Sequence, residues 1–190
     1  MPLSEQQIDQ LLKPINRNRV LRDGKGHAHV SQQDITAHLI RVFGFGSFDI
    51  DVLCCEQVYE EADERQKKNS DATYVAWEVC YRALVRLTVR DPNGDKLCHI
   101  EDGSTATAQG QPQRGDAHDL AFKSAISLSI KRCAKALGDQ FGLSLYNKGQ
   151  MSALVMGTLV HGEAPEDVQD GVEQQVSLGN DEVDPEAHDE

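Results

Sequence analysis

The chain has 190 residues, of which 31 are Asp or Glu and 19 are Lys or Arg, so its formal net charge is −12. A strongly acidic balance is atypical of nucleic-acid-binding proteins. The sequence contains no apolar run of 18 residues and no signal-peptide pattern. It therefore excludes a membrane-spanning helix and predicts a soluble, cytoplasmic protein with no membrane partner.

The negative charge is concentrated at one end of the chain. Residues 162–190 hold eleven acidic residues and no Lys or Arg, which leaves 20 acids against 19 bases in residues 1–161. Residues 161–190 are also poor in large apolar side chains, so we expect a disordered acidic tail there. Residues 1–160 are long enough to form one domain with its own core. The five cysteines have no framework spacing, which predicts reduced thiols.

The N-terminal region predicts a short helix followed by a basic segment. Ser4 is a predicted N-cap for a helix over residues 4–12. Residues 13–29 then carry several cations, including Arg17, Arg19 and Arg22, opposed by a single acid. This segment fits either a phosphate-contacting patch or a solvated loop. It also holds an H-x-H pair at residues 27–29, but no further metal ligands follow at recognisable spacing.

A second helix and three strands are predicted next. Ser31 begins the helix, which ends at Gly44, and the aromatic residues Phe43, Phe45 and Phe48 are expected in the core. The predicted order is then a strand from Phe48 toward Tyr59, a charged loop (60–72), a long strand (74–90), a turn (91–95), a returning strand (96–102) and a linker (103–115). The fold class is therefore α+β.

Alternation along the long strand separates an apolar face from a cationic one. Val79, Val85 and Leu87 belong to the apolar face, whereas Arg82, Arg86 and Arg90 point the other way. The three arginines fit either an exposed cationic surface for a partner or ordinary strand solubility.

The last predicted element is a helix over residues 117–137, begun by Asp116 and ended by Gly138. One face is apolar, and its residues recur at steps of three and four: Phe122, Ile126, Ile130, Cys133 and Leu137. The other face is basic and carries Lys123, Lys131, Arg132 and Lys135, with no acid between Asp119 and Asp139. This basic face fits either a solvated helix surface or a contact surface for a polyanion.

The motifs that would identify a cofactor site or a hydrolase are absent from the sequence. There is no G-x-x-x-x-G-K-[S/T], no complete G-x-G-x-x-G, no G-x-S-x-G, no H-E-x-x-H and no C-x-x-C. No cofactor is predicted, and no catalytic residue is nominated.

The order of elements resembles the N-terminal domain of the Rad52 family of single-strand annealing proteins. The resemblance covers about residues 10–148 and depends on four stretches of sequence. They are Val42-Phe43-Gly44-Phe45-Gly46-Ser47-Phe48, Val85-Arg86-Leu87-Thr88-Val89-Arg90, Glu101-Asp102-Gly103, and the segment from Ser124 to Gly142. In the last stretch Lys131-Arg132, Lys135, Gly138 and Gly142 fall where the family has K-R, a third base and two glycines.

The resemblance implies DNA repair by homologous recombination, through ATP-independent binding and annealing of single-stranded DNA by a homo-oligomeric ring. It implies phosphate contacts from Lys131, Arg132 and Lys135, with Lys123 earlier on the same helix and Arg90 near a second, outer site. The absence of a long C-terminal partner-binding region implies a compact phage or bacterial version, and a single-stranded DNA-binding protein or a recombinase is a further candidate partner.

The second helix departs from the family pattern. It usually opens with a basic DNA-contacting residue, and Asp34 stands at that place. We therefore expect Arg17, Arg19 or Arg22 to line the groove instead.

Two other functions remain open from the sequence. One is a chaperone that coats single-stranded DNA or RNA without pairing strands. The other is a metal-dependent nuclease whose ligands are scattered among the His and Asp residues.

Overall fold

The computed structural model describes residues 3–67, 71–158 and 160. Its regular elements are helix α1 (Glu5–Leu11), strands β1 (Leu21–Arg22) and β2 (Ala28–His29), helix α2 (Gln32–Phe43), strands β3 (Phe48–Gln66), β4 (Thr73–Arg90) and β5 (Lys96–Gln111), and helix α3 (Arg114–Lys135). This arrangement confirms the predicted α+β class. None of the described helices is long and apolar enough to cross a membrane.

All of these elements belong to the unit Met1–Leu154, and the second unit, Val155–Glu190, has no helix or strand among its described residues. The predicted acidic tail lies outside the described residues.

Side-chain caps fix the starts of the two N-terminal helices. The Ser4 hydroxyl accepts from the Gln7 N–H, and the Gln7 side chain accepts in turn from the Ser4 N–H, which forms a capping box. The Ser31 hydroxyl accepts from the Asp34 N–H at 3.1 Å. Each cap satisfies a backbone donor that has no partner within the helix. Both predicted helix starts are confirmed.

The main sheet is an antiparallel meander in the order β3-β4-β5. The central strand, β4, buries Val79, Ala83, Val85, Leu87 and Val89, as its alternation predicted. The two outer strands are longer than predicted. β3 continues to Gln66 through the expected charged loop, and β5 continues to Gln111 through the expected linker.

Backbone pairing explains why the outer strands extend so far. Gln66 pairs with Thr73 and Gln111 pairs with Trp77, so both segments are held by hydrogen bonds to β4. Their side chains are largely exposed or half-buried. A strand at the edge of a sheet can form without the apolar alternation by which strands are recognised in sequence.

Helix α3 packs on β4 and β5 through small side chains. The buried residues between Arg114 and Ser129 are Ala117, Ala121, Ala125 and Ser129, whereas Phe122 is 42% exposed. The predicted apolar face is therefore wrong at Phe122, although Ile130 and Cys133 nearer the end of the helix are buried as predicted. Small residues allow a close approach between helix and sheet, and the Ser129 hydroxyl lies 3.1 Å from the Ala83 carbonyl oxygen. The helix also begins at Arg114 rather than after Asp116.

The principal core lies between α2, the second half of α3 and the second half of β4. It contains Ile35, Leu39, Val42, Phe43, Val85, Leu87, Val89, Ile130, Cys133 and Phe141, among others. Phe43 and Phe48 contribute to this core as expected, but Phe45 is 89% exposed. It stands between Gly44 and Gly46, whose φ angles of 99° and 72° turn the loop outward.

A chain of polar contacts fastens the first turn of α3 to β3 and β4. Glu60 binds the Arg114 guanidinium at 2.7 Å and the His118 ring at 3.2 Å. The other ring nitrogen of His118 lies 3.1 Å from the Tyr81 hydroxyl. The Arg114 guanidinium also lies 5.4 Å from the centre of the Trp77 ring, which gives Trp77 a structural role.

Candidate nucleic-acid interface

Strands β1 and β2 pair antiparallel as a short hairpin. A cleft of about 360 Å³ separates the second half of α3 from this β1–β2 hairpin. Leu128, Lys131 and Arg132 form one wall. The residues of the other walls are His27, Ala28, His29, Val30, Phe141, Gly142, Leu145 and Tyr146, together with Ile35 and Ser104. Its size lies at the lower end of the range of roughly 300–1,000 Å³ that is usual for ligand sites.

Gly142 allows the segment after α3 to approach the β1–β2 hairpin closely. Its φ angle is +89°, and a Cβ at this position would lie 3.1 Å from Cγ2 of Val30. A side chain at residue 142 would therefore strain the backbone and push the segment after α3 away from Val30. The short helical turn Ser144–Tyr146 follows directly and carries Tyr146 to the mouth of the cleft.

Lys131 faces the cleft as a half-buried cation. It has no carboxylate partner within the part of the chain that the structure describes. Burial lowers the pKa of Lys131, because the ammonium has lost part of its water. An anion entering the cleft would restore the favourable interactions that burial has removed. Lys131 is thus placed to bind one.

One nitrogen of the Arg132 guanidinium is already bound to a carboxylate of the same chain. Its Nε donates to Oδ1 of Asp102 at 2.9 Å, and this carboxylate raises the pKa of the arginine. Burial alone would raise the pKa of Asp102, but the hydrogen bonds from Arg132 and from the Gly103 N–H lower it. Neither terminal amino group of Arg132 binds another described residue. Both remain able to donate to a phosphate as a fork.

Lys135 lies beside an aromatic ring instead of a carboxylate. Its Nζ is 4.5 Å from the centre of the Tyr146 ring, within the range of a cation–π contact. A ring quadrupole does not neutralise an ammonium as a carboxylate would. Lys131, Arg132 and Lys135 therefore form a cationic row along α3, which we call the α3 row.

Lys123 stands apart from this cleft. It is exposed and forms an ion pair with Asp119 at 2.7 Å, one turn earlier on the same helix. It is not among the residues that line the cleft. Exposed pairs of this kind contribute little to stability and leave the lysine accessible.

The cationic residues of β4 are each paired with an acid on a neighbouring strand. Arg86 binds Glu101 at 2.6 Å, and Arg90 binds Asp49 at 2.8 Å. Because Val85, Leu87 and Val89 point toward the core, Arg86 and Arg90 lie on the opposite face of the sheet. The structure therefore does not bring them into the α3 cleft.

The three arginines of the basic N-terminal segment occupy different surroundings. The Arg19 side chain is only 14% exposed and is held by Asp34 at 2.8 Å and by the Gln140 amide oxygen. Arg17 is exposed, and Arg22 is exposed with one donor on the Gly26 carbonyl. Arg19 is thus a structural clamp between α2 and the segment after α3, whereas Arg17 and Arg22 face solvent.

Sequence reasoning did not identify His27, His29 or Tyr146 as members of the cleft. His27 and His29 belong to the β1–β2 hairpin, and Tyr146 belongs to the turn after α3. No local sequence pattern indicates that these two segments lie side by side. The His27 ring lies 3.1 Å from Asp23. Within the described residues no group of three or more His, Cys, Asp or Glu is placed to hold a metal ion.

A second, open depression of about 660 Å³ adjoins the cleft. The two share Ser104 and Arg132, and the other residues that line the second are Cys54, Arg82, Ala83, Leu84, Gly103 and Thr105. Arg132 therefore faces both the cleft and this depression.

A family model described as "Rad52/22 family double-strand break repair protein" matches residues 4–162. A search of the curated proteins found no match.

Proposed function

Because the chain belongs to the Rad52/22 family of double-strand break repair proteins, we propose that it binds single-stranded DNA in the α3 cleft and pairs complementary strands without ATP. The family assignment supports a role in DNA strand annealing and double-strand break repair. The observation that carries the assignment of the site is the α3 row: Lys131 and Arg132 line the cleft, and Lys135 lies against Tyr146, which also lines it. Among the described residues, Asp102 is the one carboxylate bound to this row.

Electrostatics supplies affinity without reading sequence. Each phosphate bound by Lys131, Arg132 or Lys135 releases counterions from the strand, which gives a salt-sensitive and sequence-independent free energy of binding. The sugar–phosphate backbone faces α3, so base edges remain available to a second strand. The free energy of base pairing then drives annealing, and no nucleotide hydrolysis is required. The sequence contains no P-loop motif.

We infer that several copies of the chain act together in a ring. One cleft offers few phosphate contacts, and linking equivalent clefts multiplies weak sites into tight binding. The surfaces for such assembly would be the two outer strands, β3 and β5, which each pair with β4 on one side only. β3 also exposes Val52, Leu53 and Val58 by 40–54%. Exposed edges and apolar side chains of this kind favour association.

The other cations extend this interface in the proposal. Arg17 and Arg22 are exposed near the hairpin and could contact phosphates beyond the cleft, and Lys123 could do so along α3. Arg86 and Arg90 would contribute less, because each already binds a carboxylate. Arg19 has a structural role and is left out of the interface.

The cell compartment and the further partners follow from the same proposal. As a DNA repair protein of a bacterium or a phage, it would act on DNA in the bacterial cytoplasm. A single-stranded DNA-binding protein or a recombinase would supply or receive the strand.

An annealing assay distinguishes this function from its rivals. Two complementary oligonucleotides carrying a donor and an acceptor fluorophore are mixed with the protein in EDTA, without nucleotide. We expect duplex formation at least about ten times faster than without protein, with the rate falling as salt rises. A coating chaperone would bind both strands and leave this rate unchanged or lower. If labelled DNA were instead cleaved when Mg²⁺ or Mn²⁺ was added, the nuclease hypothesis would replace annealing.

A further inference from the structure

Tyr146 is an exposed aromatic residue on a fixed backbone. Its side chain is 62% exposed, although the two residues before it, Ser144 and Leu145, are 0% and 6% exposed. Leu145 belongs to the principal core, so the turn that carries Tyr146 is anchored from beneath. The ring is thus held at the surface by buried neighbours and loses little freedom when a ligand covers it.

The ring is also oriented by the α3 row. Nζ of Lys135 lies 4.5 Å from the ring centre and so covers one of its faces, and the ring lines the cleft together with Lys131 and Arg132. Much of the remaining ring surface is open to solvent. A flat apolar group could lie against it while its charged neighbour binds the lysine.

These two features match the two halves of a nucleotide. A phosphate requires cations, and a base offers a flat π-face to an aromatic ring. Within the proposed function we propose that Tyr146 stacks on one base of the bound strand while the α3 row holds the adjacent phosphates. Tyr146 is then a binding residue that fixes one nucleotide in orientation, and it acts on single strands because a base within a duplex is already stacked.

Binding of a short oligothymidylate and of an abasic oligonucleotide of equal length tests this inference on the full chain. Stacking on an aromatic side chain is typically worth roughly 5- to 160-fold in affinity per base. We expect Tyr146→Leu to weaken binding of oligothymidylate by that factor and to leave binding of the abasic strand unchanged. Tyr146→Phe keeps the ring and should bind both strands as the native protein does. The native protein itself should prefer oligothymidylate.

Any other result of these binding measurements would contradict one specific part of the inference. An equal loss by Tyr146→Leu on both strands would mean that the ring only positions Lys135, and no loss on either would mean that no base stacks there. Equal affinity of the native protein for the two strands would contradict the inference even if Tyr146→Leu failed to fold. The variant Lys131→Ala tests the proposed DNA site independently of base stacking. It should weaken binding of both strands, and if it weakened neither, the cleft would not be the DNA site.

Discussion

Replacing Lys131 and Arg132 with alanine is expected to weaken binding of single-stranded DNA by at least about 100-fold. Hydrogen bonds to charged groups contribute about 1.5–3 kcal/mol each, and this double variant removes two such groups from one cleft. The slope of log K against log salt concentration should also become shallower, by roughly 0.7 for each phosphate that the cleft no longer binds. Fluorescence anisotropy of a labelled oligonucleotide over a series of salt concentrations measures both quantities.

A matched control removes the same charge from another surface. The double variant Arg86→Ala/Arg90→Ala also lowers the net charge by two, but its arginines bind Glu101 and Asp49 on the opposite face of the sheet. We expect less than about a fivefold change in DNA affinity and little change in salt slope. Similar decreases in affinity in the two double variants would show that net charge, and not the α3 cleft, determines binding. Melting curves of both proteins would confirm that each is folded.

Acidification below pH 6.5 is expected to destabilise the fold through His38. This side chain is 4% exposed and packs edge-on against Phe141, with ring centres 5.1 Å apart. Burial, together with the nearby positive charge of Arg19, lowers the pKa of His38 from 6.5 to about 4, although Asp34 opposes the shift. Arg41 adds a further positive charge that lowers it.

The sign of the effect follows from proton uptake. Between pH 6.5 and about 4 the unfolded chain binds a proton at residue 38 and the folded chain does not. The free energy of unfolding therefore falls as the pH falls through this window, by about 2.5 kcal/mol at pH 4.5, since each pKa unit corresponds to about 1.36 kcal/mol. Above pH 6.5 this contribution to stability is fully present.

Urea denaturation at pH 7 and pH 4.5 measures the effect, and His38→Leu isolates it. Leucine has a similar volume and does not titrate, and within the described residues neither ring nitrogen of His38 makes a hydrogen bond of ordinary geometry. The Gln140 side chain, which acts to raise the pKa of His38, remains in the variant. Carboxylates also gain protons at low pH, but they do so in both proteins. The native protein should therefore lose about 2.5 kcal/mol more than His38→Leu between the two pH values. Parallel losses would show that His38 is not the group responsible.

Local chemistry was sufficient to predict the elements that carry their own signal. The hydroxyl of Ser31 caps α2, and Asp91 accepts from the N–H groups of Asn93 and Asp95 in the predicted turn. The alternation of β4 survives because α3 covers one face of the sheet. The cap and the turn are formed by residues close in sequence, and the alternation can be read along a single strand.

Other features depend on contacts that the sequence does not reveal. Ala121 and Ala125 pack α3 against the sheet, while the larger Phe122 stays exposed, because a close helix–sheet contact favours small side chains over large ones. β5 continues through its Gly-, Thr- and Gln-rich stretch because β4 supplies its hydrogen bonds. An amphipathic pattern based on bulky residues misses both effects.

Part of the candidate site could be predicted from the sequence, and part depends on tertiary contacts. Lys131, Arg132 and Lys135 share a helix face, so their spacing brings them together. The pairing of Arg132 with Asp102 and the burial of Arg19 are tertiary effects between segments far apart in sequence. So is the meeting of Tyr146 with Lys135 across the turn after α3.

Photocrosslinking tests most directly whether a single strand lies in the α3 cleft. An oligonucleotide containing 4-thiothymidine is bound to the full chain and irradiated, and the attached peptides are identified by mass spectrometry. We expect attachment within residues 128–146 and 27–30, and its loss in Lys131→Ala/Arg132→Ala. Attachment confined to the sheet face that carries Arg86 and Arg90, and unaffected by this double variant, would contradict the account.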